Sequence, residues 1–350
     1  MDADLERFRR QRLRTFYPKT DSELPDDVLK SGAGSAHVSA EVIADLCRKS
    51  LGTEPAAVAP LKDQGTFHHL TRVVLADGRR VVVRVNALGG RVRDLALGVD
   101  AWAMGRLRDR GLPWLRVHRV DVTLRDVPFE YEILAEADGK ELAAYYDDGP
   151  KLRRLLGKVG GLLARVHEIP VEGFGWIDVD PGATDPAAAQ GRGLFGSWRD
   201  YVLTNLDAHL GVCARIGAIT PEERRRIEAL FDATDGLLDG VGPSLLHGDL
   251  SGRNIFSDGE SVTAVIDWED CLAGDPVFDL AFWATFHQEE RYPALLEGYG
   301  AVRPLPADFE ARFWLYFLRV ALSKTVQRHR FGYPDRLPGL PPASHRIQKA

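Results

Sequence analysis

Behind Ser39 the apolar positions Val42, Ile43, Leu46 and Leu51 recur at helical spacing, with Glu41 in the first turn and Gly52 beyond the last, which predicts a capped helix. From Leu61 the period changes. Leu70–Ala76 and Arg79–Val85 alternate in the manner of strands, and Asp77-Gly78 between them predicts a hairpin. Beyond Gly89-Gly90 a helical pattern runs through Asp100, Ala103, Leu107 and Arg110 and stops at Gly111 and Pro113. One more strand, Phe129–Leu134, leads into Ala135-Glu136-Ala137-Asp138-Gly139, a connector between two halves. Helices dominate from there. Leu152, Leu155, Leu156, Val159, Leu162, Leu163 and Val166 share one face, and Thr220-Pro221-Glu222-Glu223 is a capping box with proline at the first helical position. A small strand-rich half therefore precedes a larger helical half, without internal repeats.

Two flanks fall outside this pattern. Residues 1–37 read as a short helix, with Leu5, Phe8, Leu13 and Phe16 set among arginines, followed by a polar linker; a solvated arm lying on its own domain is expected. Residues 333–350 hold four prolines and read as a loose tail. Among the 350 residues no apolar run approaches the ~18 needed to cross a bilayer. Nor does the mixed charge of the first residues resemble a secretory leader. Three dispersed cysteines, Cys47, Cys213 and Cys271, fit neither a disulfide framework nor a paired zinc site, so a reducing cytoplasm is the expected location. The net charge of -6 argues against nucleic acid as a partner, and no membrane partner is expected. Its distribution is uneven: residues 138–310 carry 15 basic and 30 acidic side chains, whereas residues 311–350 carry 8 and 1.

The chemistry concentrates between Leu245 and Trp283. His247-Gly248-Asp249 opens a loop that reaches Asn254, and Asn254–Ser257 and Val262–Ile266 read as two strands turned at Asp258-Gly259. Antiparallel pairing would set Asn254 and Asp267 close to opposite each other, with Cβ atoms about 4.5–5.5 Å apart. An amide and a carboxylate converging in this way suit Mg²⁺, whose shell is then completed by water and phosphate oxygens. Asp249, on the loop entering the same hairpin, could face a hydroxyl. Gln64-Gly65-Thr66, ahead of the first strand pair, could offer backbone N–H groups to a phosphate, although one glycine is a weak signal.

His247-x-Asp249-x-x-x-x-Asn254, then Ile266-Asp267-Trp268-Glu269 and Gly274-Asp275-Pro276-x-x-Asp279, resembles the aminoglycoside phosphotransferase family from about Ser39 to at least Gln327. Val83–Asn86, Gly173-Phe174-Gly175 and Trp198–Tyr201 add a narrower likeness within that family. The resemblance implies an α+β, bilobal protein-kinase-like fold. Its parts would be an arm (1–37), a nucleotide-binding N-lobe (38–135), a hinge (135–139), a catalytic and substrate-binding C-lobe (140–332) and the tail. It implies Asp249 as the catalytic aspartate and Asn254 and Asp267 as ligands of Mg²⁺. Gly65, Thr66 and Arg84 would attend the phosphates of ATP (or GTP), with Arg84 replacing the usual lysine and Asp100 holding it; backbone at Ala135 and Ala137 would hold adenine. His247 and Asp279 would brace the loop. The implied activity is an ATP- and Mg-dependent O-phosphotransferase acting on a hydroxyl of a small molecule. An aminoglycoside or aminocyclitol antibiotic is favoured as acceptor by the acidic C-lobe, in a resistance or self-protection role. Glu269 and Asp270, next to a metal ligand, are candidate substrate contacts at the mouth of the site. The alternatives are a nucleoside-type or macrolide antibiotic or a choline-like metabolite as acceptor, the more so if the basic end packs beside the cleft, and an inactive nucleotide-binding regulator.

Overall fold

A computed structural model describes residues 2–23, 25–27, 38–62, 67–86, 95–180, 185–286, 291–333, 346–348 and 350. Its N-terminal half is built on a five-stranded antiparallel sheet, β1 (Pro55–Pro60), β2 (His68–Leu75), β3 (Arg80–Asn86), β4 (Val117–Asp121) and β5 (Tyr131–Ala135), in the order β1-β2-β3-β5-β4. The Asp77-Gly78 hairpin forms, with Val74 opposite Arg80 and Gly78 at φ 85°, a backbone region glycine adopts at no steric cost. The helix Ala40–Leu51 begins where Ser39 Oγ accepts from the N–H of Val42 and ends at a left-handed Gly52. It buries Ile43, Leu46 and Cys47 against Val73, Val81, Val83, Val85 and Ile133 of the sheet. Val42, expected on the same apolar face, is exposed instead.

The helix Ala96–Asp109 is buried along most of its length because it packs between this sheet and the C-terminal half. That position explains its weak amphipathicity: a helix covered on several sides needs no polar face. Residues 136–139 join β5 to the short strand Lys140–Glu141. Gly139, at φ 93°, passes so close to the carbonyl of Ser257 that a side chain there would collide with it.

The C-terminal half is helical around two small sheets. Gly149–Val166 packs on Tyr292–Gly300, and Pro276–Phe286 packs on Phe309–Arg330. Thr220 and Glu223 make the reciprocal capping box that the sequence predicts. Strands Ser244–Leu246 and Leu272–Gly274 pair side by side, and the hairpin Ile255–Ser257/Val262–Val265 is joined by Lys140–Glu141. No helix among the described residues is long and apolar enough to cross a membrane.

The arm departs from expectation. Asp2–Arg12 and Pro18–Asp21 are helical, but the segment is not a solvated coat: Phe16 and Tyr17, between the helices, and Thr20, in the second, are buried in the C-lobe. Phe16 stacks on Tyr201 and lies under the guanidinium of Arg319, within an aromatic cluster holding Trp198 and Phe278. Arginine-rich composition hid this, since the buried residues are a short aromatic run inside a charged segment.

Candidate active site

The loop after Ser244–Leu246 is fixed from below. Asp279, on the helix Pro276–Phe286, accepts the N–H of His247 at 2.6 Å and that of Gly248 at 2.9 Å, and it meets His167 Nε2 at 3.2 Å. His247 Nδ1 accepts the N–H of Asp249, so its Nε2 carries the proton given to the carbonyl of Ile266 at 2.9 Å. Gly248 sits at φ 78°, and a Cβ there would strike the carbonyl of Asp270. Burial opposes the charge on Asp279, yet the hydrogen bond from His167 and the loop N–H groups hold its carboxyl below its ordinary 3.8. A depressed native pKa means stability that is present above 3.8 and lost as pH falls. We therefore expect Asp279→Asn to cost roughly 2–4 kcal/mol at pH 7, because the amide turns a donor toward loop donors. Urea unfolding at pH 7 and pH 3 would read it, with the gap narrowing in acid.

Asn254 Nδ2 donates to the carbonyl of Asp249 at 3.0 Å, which leaves Oδ1 as the atom able to ligate a cation. The hairpin register differs from the expected one by a residue. The N–H of Ile266 donates to the carbonyl of Asn254 and Ile255 pairs with Val265, so Ile266 and not Asp267 lies opposite Asn254. Asp267 follows at φ 69°, a left-handed conformation that costs an L-residue about 1 kcal/mol and that Asp tolerates better than most.

Arg84 of β3 joins this loop to the N-lobe. Its Nη1 donates to Asp100 at 3.1 Å and to Glu132 at 3.4 Å, and its Nη2 to Asp267 at 3.0 Å and Glu269 at 2.8 Å. Burial alone would lower the guanidinium pKa, but Asp100, Glu269, Asp267 and Glu132 together raise it well above normal. Glu132, buried opposite Arg84 on β5, is pushed up strongly by burial and by Asp100. The buried Oδ2 of Asp100 and Oε1 of Glu132 have no hydrogen-bond partner, as expected where four carboxylates share one cation.

Asp249 itself is met by the arm. Tyr17 OH donates to its Oδ1 at 2.9 Å, Lys19 Nζ to its Oδ2 at 2.7 Å, and Lys324 Nζ stands 3.6 Å from Oδ1. Burial would raise this carboxyl; the two ammonium groups and the hydrogen bonds overcome it and lower the pKa to about 2. Lys324, over the rings of Tyr17 and Phe282, is lowered by burial to about 7.

Glu269 and Asp270 are brought to the site but not to an open mouth. Both are buried, Glu269 between Arg84 and His68, Asp270 3.4 Å from Arg12. Burial raises Asp270 to about 6 against the pull of Arg12. Ala135 and Glu136 donate their N–H groups to the carbonyls of Arg116 and Arg80, so hinge donors for adenine begin at Ala137. Gly65 and Thr66 lie outside the described residues. Tyr17, Lys19, Glu132 and Lys324 escaped the sequence reading. Glu132 alone had a signal, since strand pairing sets it beside Arg84. A cleft of about 670 Å³ between Met104, Trp114, Arg116 and His118 contains none of these residues.

The model of the phosphotransferase enzyme family matches residues 63–314, well over half of the chain. The chain belongs to that family. Homoserine kinase of Pseudomonas aeruginosa is 30% identical over 239 residues, 61% of this chain and 74% of the relative. Hygromycin-B 4-O-kinase of Escherichia coli is 26% identical over 151 residues, 41% of this chain; the match spans 42% of that relative's length. The solved structure of a thermostable mutant of aminoglycoside phosphotransferase APH(4)-Ia, in ternary complex with AMP-PNP and hygromycin B, superposes with a TM-score of 0.61 at 20% identity, covering 88% of this chain and 97% of that one. The kinase-like α+β fold is therefore that of the family. Tyr17, Lys19 and Lys324 lie outside the matched residues.

Proposed function

We propose that this chain is an ATP- and Mg²⁺-dependent O-phosphotransferase for a hydroxylated small molecule, with Asp249 as catalytic aspartate. The observation that carries the reading is Arg84, which ties β3 and the helix Ala96–Asp109 to Asp267, one residue past the hairpin that Asn254 begins. Nucleotide lobe and catalytic loop are thus held in one register. In the transfer, the acceptor oxygen bonds to the γ-phosphorus, the bond from that phosphorus to the β,γ-bridging oxygen breaks, the oxygen leaves with ADP and the electron pair, and the hydroxyl proton passes to Asp249. The transition state is loose, so Asp249 serves chiefly to aim the hydroxyl, and even a weakly basic carboxylate suffices. Asn254 Oδ1 and Asp267 would hold Mg²⁺, an ion seldom caged by protein alone. When bound it neutralises charge on the β- and γ-phosphates. Ala135 and Ala137 backbone would hold the adenine.

For the acceptor, the acidic C-lobe and the likeness to hygromycin-B 4-O-kinase support an aminoglycoside-type molecule. Two observations favour a second reading. Glu269 and Asp270 have their charges answered from within the chain, and the basic end does reach the site through Lys324. A neutral or anionic acceptor fits those groups better.

Incubating the protein with Mg·ATP and hydroxylated antibiotics and metabolites, read by mass for one added phosphate, tests the activity; no transfer to any acceptor would remove it. For Asp267→Ala we expect loss of Mg²⁺-dependent nucleotide affinity, at least about tenfold, since one amide dipole cannot replace a carboxylate. Titration of Mg·ATP would show it, and unchanged affinity would take Asp267 out of the metal site.

A further inference from the structure

The phosphoryl-transfer reading of Asp249 has a consequence for the acceptor, and the inference below rests on that reading. Both oxygens of Asp249 are engaged by residues of the arm, which is fastened rather than loosely laid. The N–H groups of Phe16 and Tyr17 donate to Asp21, whose other oxygen meets His209 at 2.7 Å; Tyr201 OH donates to the carbonyl of Phe16, and Thr20 bonds to Ser323. With the backbone held on both sides of Lys19 and the Tyr17 ring buried, the Lys19 side chain is the part free to change partner. An acceptor hydroxyl approaching Oδ2 must take the place of its ammonium.

We propose that Lys19 and Lys324 form an anion-binding subsite, so that the acceptor carries a carboxylate or comparable anion close to the hydroxyl that is phosphorylated. A largely buried ammonium that gives up its carboxylate loses a charge-assisted hydrogen bond and must find another, or the exchange is strongly unfavourable. The groups around Asp249 set the sign. Lys19 comes from the arm and Lys324 from the helix Phe309–Arg330, so two amino groups converge on the single carboxylate of Asp249. An acceptor anion complements that convergence, whereas a polycation adds charge of the wrong sign. Both lysines lie outside residues 63–314, the stretch that the family model matches.

The test uses the full chain, Mg·ATP and acceptors matched for shape but not charge: glycerate with glycerol, L-homoserine with its amide, and choline and hygromycin B as cations, with phosphoester formation read by phosphorus NMR. The wild type is expected to phosphorylate an anionic member with a KM about 10- to 100-fold below that of its neutral partner. Lys19→Met should erase that preference through KM, Lys19→Arg should restore most of it, Lys324→Met should weaken it, and Mg·ATP affinity should hold in all three. Transfer to neutral or cationic members with none to an anion would overturn the inference while leaving the phosphotransferase reading intact. So would a Lys19→Met enzyme whose kcat falls equally for every acceptor, because that places the ammonium on the phosphoryl group. Absence of transfer to all members would remove both.

Discussion

Asp249→Asn is expected to lower kcat by roughly 10²- to 10⁴-fold while leaving Mg·ATP affinity nearly unchanged. Asparagine is the informative replacement. It keeps an oxygen for Tyr17 OH or Lys19 Nζ, both of which an alanine would leave facing a gap beside a buried ammonium. It also keeps the shape of the loop, whose fixed points are the N–H and carbonyl of Asp249 rather than its carboxylate. What disappears is the group that aims the hydroxyl and receives its proton. Single-turnover transfer and equilibrium Mg·ATP binding separate the two effects. Equal losses in both would assign Asp249 a structural role and send the search for the catalytic aspartate elsewhere.

Arg84→Met is expected to destabilise the fold by roughly 3–5 kcal/mol, the usual cost of removing one partner from a buried ionic network. The side chain satisfies Asp100, Glu132, Asp267 and Glu269 at once, and two oxygens in that cluster are already without hydrogen bonds. Without the guanidinium, the buried carboxyls must take up protons. Burial already raises Glu132 and Asp100 above their ordinary values, so the native state binds protons more tightly than the unfolded chain. Stability then falls as pH rises through those native values and recovers as pH falls. Thermal unfolding of the variant at pH 8 and pH 5 should accordingly show its deficit shrinking in acid. Arg84→Lys should recover only part of the loss, because one compact ammonium cannot fork between the lobes. A variant as stable as the wild type at pH 8 would mean that the four acids are neutralised by other means.

Much of the architecture was legible because its signals are local. Asp77-Gly78, Ser39 with Gly52, and the Thr220–Glu223 box act within a few residues, and each formed as read. The spacing of His247, Asp249, Asn254, Asp267 and Asp279 was legible for the same reason, since one loop and one hairpin carry all but the last. Even there the register was off by one, because pairing is set by the geometry of the turn, which residue types alone do not fix.

What sequence order could not supply was the company these residues keep. Glu269 and Asp270 read as substrate contacts at the mouth of the site, and their burial depends on what covers them: Arg84 and His68 for one, Arg12 for the other. The arm read as solvated because five arginines stand among its apolar residues, yet Phe16 and Tyr17 enter a core assembled from Trp198, Tyr201, Phe278 and Phe282. Asp249 meets Lys19 from 230 positions earlier and Lys324 from far downstream. The sequence by itself determined which groups can do chemistry and the local turns that present them, since these follow from backbone geometry and side-chain type. Only the tertiary structure decided which charges face which, because Coulomb attraction and desolvation depend on distance and burial, and neither is encoded in separation along the chain.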